Sequence, residues 1–133
     1  MATMLSRWGA ILIVVLAINT GGCGKSGRPV LVPAIGEVMF KGEPLTAGSI
    51  IFFPDKSVDY QNDRPSSLLQ VNGSFIMKTY PFGDGVSPGK YKVCLNPPLA
   101  NAIKLPQYGD PKKTPWEIEI PETGDKNIIL EAQ

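Results

Sequence analysis

The chain has 133 residues, with 13 Lys and Arg against 12 Asp and Glu and no histidine. That length suits one domain, the near-zero net charge argues against a nucleic-acid surface, and the missing histidine removes the commonest general base and the commonest metal ligand together. The 14 Gly and 13 Pro fall without period between short apolar runs, which excludes a collagen repeat and points to many turns joining short strands.

The first predicted element is the apolar run WGAILIVVLAI, residues 8–18, preceded by Arg7. Its eleven residues fall short of the roughly 20 that a spanning helix needs. They fit the apolar segment of an export signal, which runs to roughly 7–15 residues. Asn19, Thr20, Gly21 and Gly22 follow, and then Cys23. Small residues before a cysteine, after a short apolar run, resemble the lipobox of bacterial lipoproteins. Gly21 and Gly22 stand at the small positions, and Cys23 at the residue that carries lipid. Thr20 stands where that pattern prefers an aliphatic residue. The resemblance implies cleavage between Gly22 and Cys23, a diacylglyceryl group on Cys23, and an exported protein held to a membrane at the cell envelope. Two other readings are a Cys23–Cys94 disulfide in an exported chain and an uncleaved anchor. Cleavage removes Arg7 and no acid, so the mature chain has equal basic and acidic side chains. Three segments are therefore expected: a signal peptide over residues 1–22, a flexible tether over 23–33 that is rich in Gly, Ser and Pro, and a domain over 34–133.

Within the domain the apolar residues recur at strand spacing rather than helical spacing. IGEVMF, residues 35–40, runs into a turn at Gly42 and Pro44. GSIIFFP, residues 48–54, is apolar on both faces, as a central strand is. SSLLQV and SFIMKTY meet across Asn72-Gly73, a strong hairpin signal. GKYKVCL alternates, with Tyr91, Val93 and Leu95 on one face and Lys90, Lys92 and Cys94 on the other. The segment over residues 97–115 holds five prolines and is expected to be neither strand nor helix, yet rigid enough to pack over the sandwich. WEIEI places Trp116, Ile118 and Ile120 inward, and NIILEA places Ile128 and Leu130 inward. Seven short strands in about a hundred residues predict an all-β sandwich.

The run GEVMFKGEPLTAGSIIFFP then resembles the start of a transthyretin-like, carboxypeptidase regulatory-like domain of bacterial lipoproteins. Gly42, Pro44, Leu45, Phe52 and Pro54 carry the likeness there. Asn72-Gly73, Phe75, Gly83-Asp84-Gly85 and Pro88-Gly89-Lys90-Tyr91 carry it further along, as do LPQYGDP and the closing NIILEA. The resemblance covers residues 35–132 and implies a prealbumin-like, seven-stranded Greek-key sandwich. Its motifs are turns and core positions, so it bears on fold and little on activity.

Chemistry is sparse in this sequence. Serine and cysteine nucleophile systems need a histidine partner, and zinc sites draw on Cys and His. Hydroxyisourate hydrolases of the transthyretin type depend on histidines and a closing Tyr-Arg-Gly-Ser; this chain ends NIILEAQ. Glu117 and Glu119 share a face at strand spacing, which a solvated face explains. Gly83-Asp84-Gly85 reads as a turn requiring positive φ. Cys94 is either a half-exposed thiol or covered by the Pro-rich segment; it has no neighbouring activator and is not assigned as reactive. The expected function is therefore a non-enzymatic, membrane-anchored module at the cell envelope. It needs no cofactor and no metal, and its partners are the membrane through Cys23 and an envelope protein or glycan. The alternative is a carrier domain for a small ligand or glycan, with Tyr108, an aromatic in the Pro-rich segment, as the contact.

Overall fold

The structure, a computed structural model, describes residues 28–133. Every run that the alternation marks carries a strand, and three strands of two residues bring the described set to ten. In chain order these are β1 (Ala34–Phe40), β2 (Glu43–Pro44), β3 (Ser49–Pro54), β4 (Ser66–Leu68), β5 (Ser74–Ile76), β6 (Lys78–Thr79), β7 (Gly83–Asp84), β8 (Gly89–Leu95), β9 (Glu117–Ile120) and β10 (Asp125–Ala132). They form two sheets. One runs β10-β1-β2, with β5 also paired to β1; the other runs β7-β6-β4-β3-β8-β9. The described residues are all-β apart from one short helix, α1 (Pro97–Ala102), and a 3-10 turn over Pro106–Gly109.

The apolar member of each alternating pair faces the space between the sheets. In β8 this sets Tyr91, Val93 and Leu95 in the core, and in β10 Ile128, Leu130 and Ala132. Lys90, Glu119 and Ile129 point outward. The sheets meet at an aromatic cluster. Phe52 of β3 lies edge-on to Phe75 of β5, with ring centroids 6.3 Å apart, and 5.4 Å from Tyr91. Aromatic pairs of this geometry contribute about 0.5–1.5 kcal/mol beyond the area they bury. Strand β3 is central in its sheet, as its two apolar faces imply.

β1 and β10 run parallel, with Gly36 opposite Ile128 and Val38 opposite Leu130. Gly36 is required by closeness: a Cβ there would lie 2.1 Å from the Ile128 carbonyl oxygen. No other residue allows the two backbones to approach so nearly at that point.

The structure departs from the sequence expectation at three places and decides an alternative at a fourth. Asn72-Gly73 does form a tight turn, with Gly73 at φ +76° and its N–H donating to the Gln70 carbonyl at 2.8 Å. The flanking strands, however, separate into different sheets: β4 pairs with β3 and β5 with β1. The turn is thus a corner between the layers. The Pro-rich segment contains α1 and the 3-10 turn, because Pro97 and Pro98 sit in the first turn of α1 and Pro106 in that of the 3-10 turn, where the missing N–H has no helical partner to lose. Cys94 is on the lysine side of its strand, and of its two expected states, a half-exposed thiol or cover by the Pro-rich segment, the structure has it buried. The chain over residues 110–114 lies against that part of β8, held by Thr114 Oγ1 donating to the Val93 carbonyl at 2.7 Å. Finally, Val32 belongs to the core and exchanges backbone hydrogen bonds with Val86 at 2.8 and 2.9 Å, two residues before the expected start of the domain.

Candidate functional site

Gly22 and Cys23, the expected cleavage and lipidation residues, lie outside the described residues, as does the whole of the signal over residues 1–22. The described chain begins at Arg28 and joins the sandwich at Val32.

Tyr108, the expected ligand contact, is held in the core by the 3-10 turn. Its ring meets Trp116 edge-on, with centroids 4.5 Å apart, and its hydroxyl accepts the Gln133 N–H at 3.1 Å. Only 4 % of the residue is exposed. A ring so enclosed offers no face for a ligand, and the reason is local: the two helical turns fold the Pro-rich segment inward instead of leaving it as a rim. Trp116 is buried as expected. Its indole N–H donates to the Glu131 carbonyl at 3.1 Å, which ties the start of β9 to the end of β10.

The carboxylates resolve into structural roles. Glu117 accepts from Lys92 Nζ at 2.8 Å, and that hydrogen bond, reinforced by the lysine charge, lowers its pKa. Glu119 stands opposite Lys90 in the β8–β9 register. Asp55 accepts from the Ser57 hydroxyl and from the Ser57 backbone N–H, which together lower its pKa. Asp84 sits in the Gly83-Gly85 turn, where both glycines have positive φ, and pairs loosely with Lys78 at 3.7 Å. Exposed pairs of this kind contribute under about 1 kcal/mol.

The two groups with a strongly raised pKa are equally structural. Burial raises the Tyr91 hydroxyl, which donates to the Ser87 carbonyl. The Cys94 thiol, which is free, is pushed up to about 11 by burial and by Asp110. A thiol so raised is protonated at neutral pH and is a poor nucleophile. Among the described residues, no group of three His, Cys, Asp or Glu is placed to hold a metal, and every buried side-chain nitrogen and oxygen has a hydrogen-bond partner.

The two best-formed clefts among the described residues are open and small. One, of about 230 Å³, lies between Met39, Lys41 and the chain end at Gln133. The other, of about 220 Å³, lies over Gly36 between Ile35, Glu37, Asn127 and Ile129. Both are below the roughly 300–1,000 Å³ of ordinary small-molecule sites. No helix among the described residues is long and apolar enough to cross a membrane. Comparison with known protein-family models, with curated proteins and with solved structures gives no match.

Proposed function

We propose that this chain is an exported lipoprotein whose sandwich acts without catalysis, as a structural or interaction module at the cell envelope. In this reading residues 1–22 are removed as a signal, Cys23 carries a diacylglyceryl group, and the domain is a transthyretin-like, seven-stranded Greek-key sandwich. The observation that carries the reading is the eleven-residue apolar run followed by Gly21-Gly22-Cys23. A single acyl chain binds a membrane only marginally, whereas two hold stably, so a diacylglyceryl cysteine keeps the domain at the surface.

The strand pattern supports the fold half of the proposal. With the two-residue strands β2, β6 and β7 set aside, the seven strands that remain are the seven runs of the sequence. The chain leaves the larger sheet after β4, passes through the other as β5, returns as β6 and β7 beside β4, and then crosses to β8 on the far side of β3, the kind of long connection that a Greek key uses.

The non-catalytic half is supported by what the polar groups do. Each side chain with a resolved pKa shift owes it to burial or to a nearby structural partner: Ser57 at Asp55, Lys92 at Glu117, burial at Tyr91, and burial with Asp110 at Cys94. Perturbed groups that converge in a cleft would favour an active site; these four lie on or beside β8, with Tyr91 and Cys94 buried and Asp55 and Glu117 exposed, and none of them lines either cleft. Contacts to an envelope protein or glycan fall to the loops over residues 81–88 and 97–115, since loops on a rigid scaffold carry recognition. Anchoring raises the effective concentration of such contacts, so weak affinity suffices.

The test pairs a hydrolase and oxidoreductase screen of the purified domain with cross-linking in intact envelopes. The expected result is no turnover above buffer and a cross-link to an envelope component. Turnover that survives purification and is lost on a point substitution in the domain would overturn the proposal.

A further inference from the structure

One end of the sandwich collects the chain entry and several connections. β1 begins there at Ala34, opposite Asp125 at the start of β10. The Pro33 carbonyl accepts the Asp125 N–H at 2.8 Å, which brings the β9–β10 turn to the same place. β8 also begins at this end, since Gly89 lies opposite Ile120. The connection over residues 80–88 closes onto the entering chain through Val86 and Val32. The turn joining β1 to β2 lies at the other end of the seven-residue β1, about 20 Å away at strand rise.

At the entry end, two apolar side chains stand in solvent. Val30 is 76 % exposed and Tyr80 is 61 % exposed, and Arg28, which precedes Val30 in the entering chain, is exposed as well. Eight residues lie between Cys23 and Val32, and the nine steps from one to the other reach at most about 32 Å. Whatever holds Cys23 therefore holds this end of the domain within that distance.

We propose that the entry end rests on the phospholipid surface, with Tyr80 and Val30 at headgroup level and Arg28 beside the phosphates. This rests on the lipid-anchored reading and adds an orientation to it. A tyrosine has an apolar ring and a polar tip, the combination that places aromatic side chains at membrane–water boundaries. Val30 supplies adjoining apolar area, and a guanidinium matches a phosphate by geometry and charge. These contacts are few, but the anchor makes them intramolecular in effect, so they orient the domain without having to recruit it. The opposite end, with α1 and the β1–β2 turn, then faces away from the bilayer, so that of the two recognition loops the one over residues 97–115 is left for envelope partners while the one over residues 81–88 lies toward the lipid.

The experiment uses the full chain, expressed in a bacterium that processes lipoproteins, purified, and reconstituted into phosphatidylcholine–phosphatidylglycerol vesicles doped with dibrominated phosphatidylcholine. Three chains are compared: the unsubstituted one, whose buried Trp116 gives the baseline, Tyr80→Trp at the entry end, and Glu43→Trp at the far end. Both substituted positions are exposed, so the fold tolerates them. The expected result is bromolipid quenching several-fold greater for Tyr80→Trp than for Glu43→Trp, with Glu43→Trp close to the baseline. Equal quenching of the two variants, or none in either on an acylated chain, overturns the orientation and leaves the anchor standing. A mass showing the uncleaved, unacylated chain overturns both.

Discussion

Trp116→Ala is the perturbation that most directly probes how the sandwich is closed. The indole is buried where β9 begins and does three things. It fills core volume beside Tyr108, with ring centroids 4.5 Å apart. It donates to the Glu131 carbonyl at 3.1 Å across to β10. Its backbone carbonyl accepts from Val93 at 3.0 Å, so the side chain sits on a fixed piece of main chain. Truncating a large buried aromatic costs about 3–5 kcal/mol. Leaving the Glu131 carbonyl unpaired adds about 1 kcal/mol, and part of the aromatic pair energy is already inside the first figure. The expected loss is about 4–6 kcal/mol, a large share of the roughly 5–15 kcal/mol that holds an ordinary domain together. Trp116→Phe keeps most of the ring and loses the donor, so about 1–2 kcal/mol is expected there. Urea unfolding of residues 28–133 followed by far-UV circular dichroism reads both values. A loss below about 1 kcal/mol for Trp116→Ala, or a solvent-like tryptophan emission from the native domain, would refute the closure described here.

Other outcomes follow from the same structure. Gly36→Ala sets a methyl 2.1 Å from the Ile128 carbonyl oxygen, so β1 and β10 must part; a loss of about 3 kcal/mol is expected, at the upper end of overpacking costs, and thermal unfolding measures it. A chain that starts at Ala34 lacks the Val32 side chain and both Val32–Val86 hydrogen bonds; compared with one starting at Arg28 it should lose about 2 kcal/mol in denaturant unfolding. The alkaline limit follows from the raised Cys94 thiol, at about 11 in the fold against 9.0 ordinarily. The unfolded chain gives up this proton first, so stability falls as pH rises from about 9 toward 11, with Tyr91 acting in the same direction at higher pH. Urea midpoints at about pH 8 and pH 10.5 should show this fall, and Cys94→Ala should lessen it.

How far the fold is legible in the sequence varies with how local its cause is. The alternation over Tyr91–Leu95 and Ile128–Ala132 is readable because one face of each strand meets the core and the other meets water, and period two records that directly. The Asn72-Gly73 turn is readable because its backbone demands are met by two adjacent residues. The division of β4 and β5 between sheets is not, since a strand's partner is chosen by residues far along the chain. The choice between a half-exposed and a covered Cys94 is open in the sequence for the same reason: β8 alone gives it an outward face, and its burial depends on a later segment folding over it. The Pro-rich segment misleads through its composition. Five prolines suggest an irregular loop, yet Pro97, Pro98 and Pro106 sit at helix starts, where proline is tolerated, and Leu99 and Ala100 behind them pack into the core. That inward fold carries Tyr108 out of reach of ligands. Gly36 carries no sequence signal, because its demand is a parallel neighbour rather than a turn.

The measurement that tests the central claim most directly is the intact mass of the chain, with fatty-acid labelling, after expression in a lipoprotein-processing bacterium. The account requires a membrane-fraction chain that begins at Cys23 and carries a diacylglyceryl group, with Cys23→Ser unlabelled and accumulating as the uncut precursor. A chain that keeps residues 1–22 and takes up no label, or label that persists in Cys23→Ser, would contradict it.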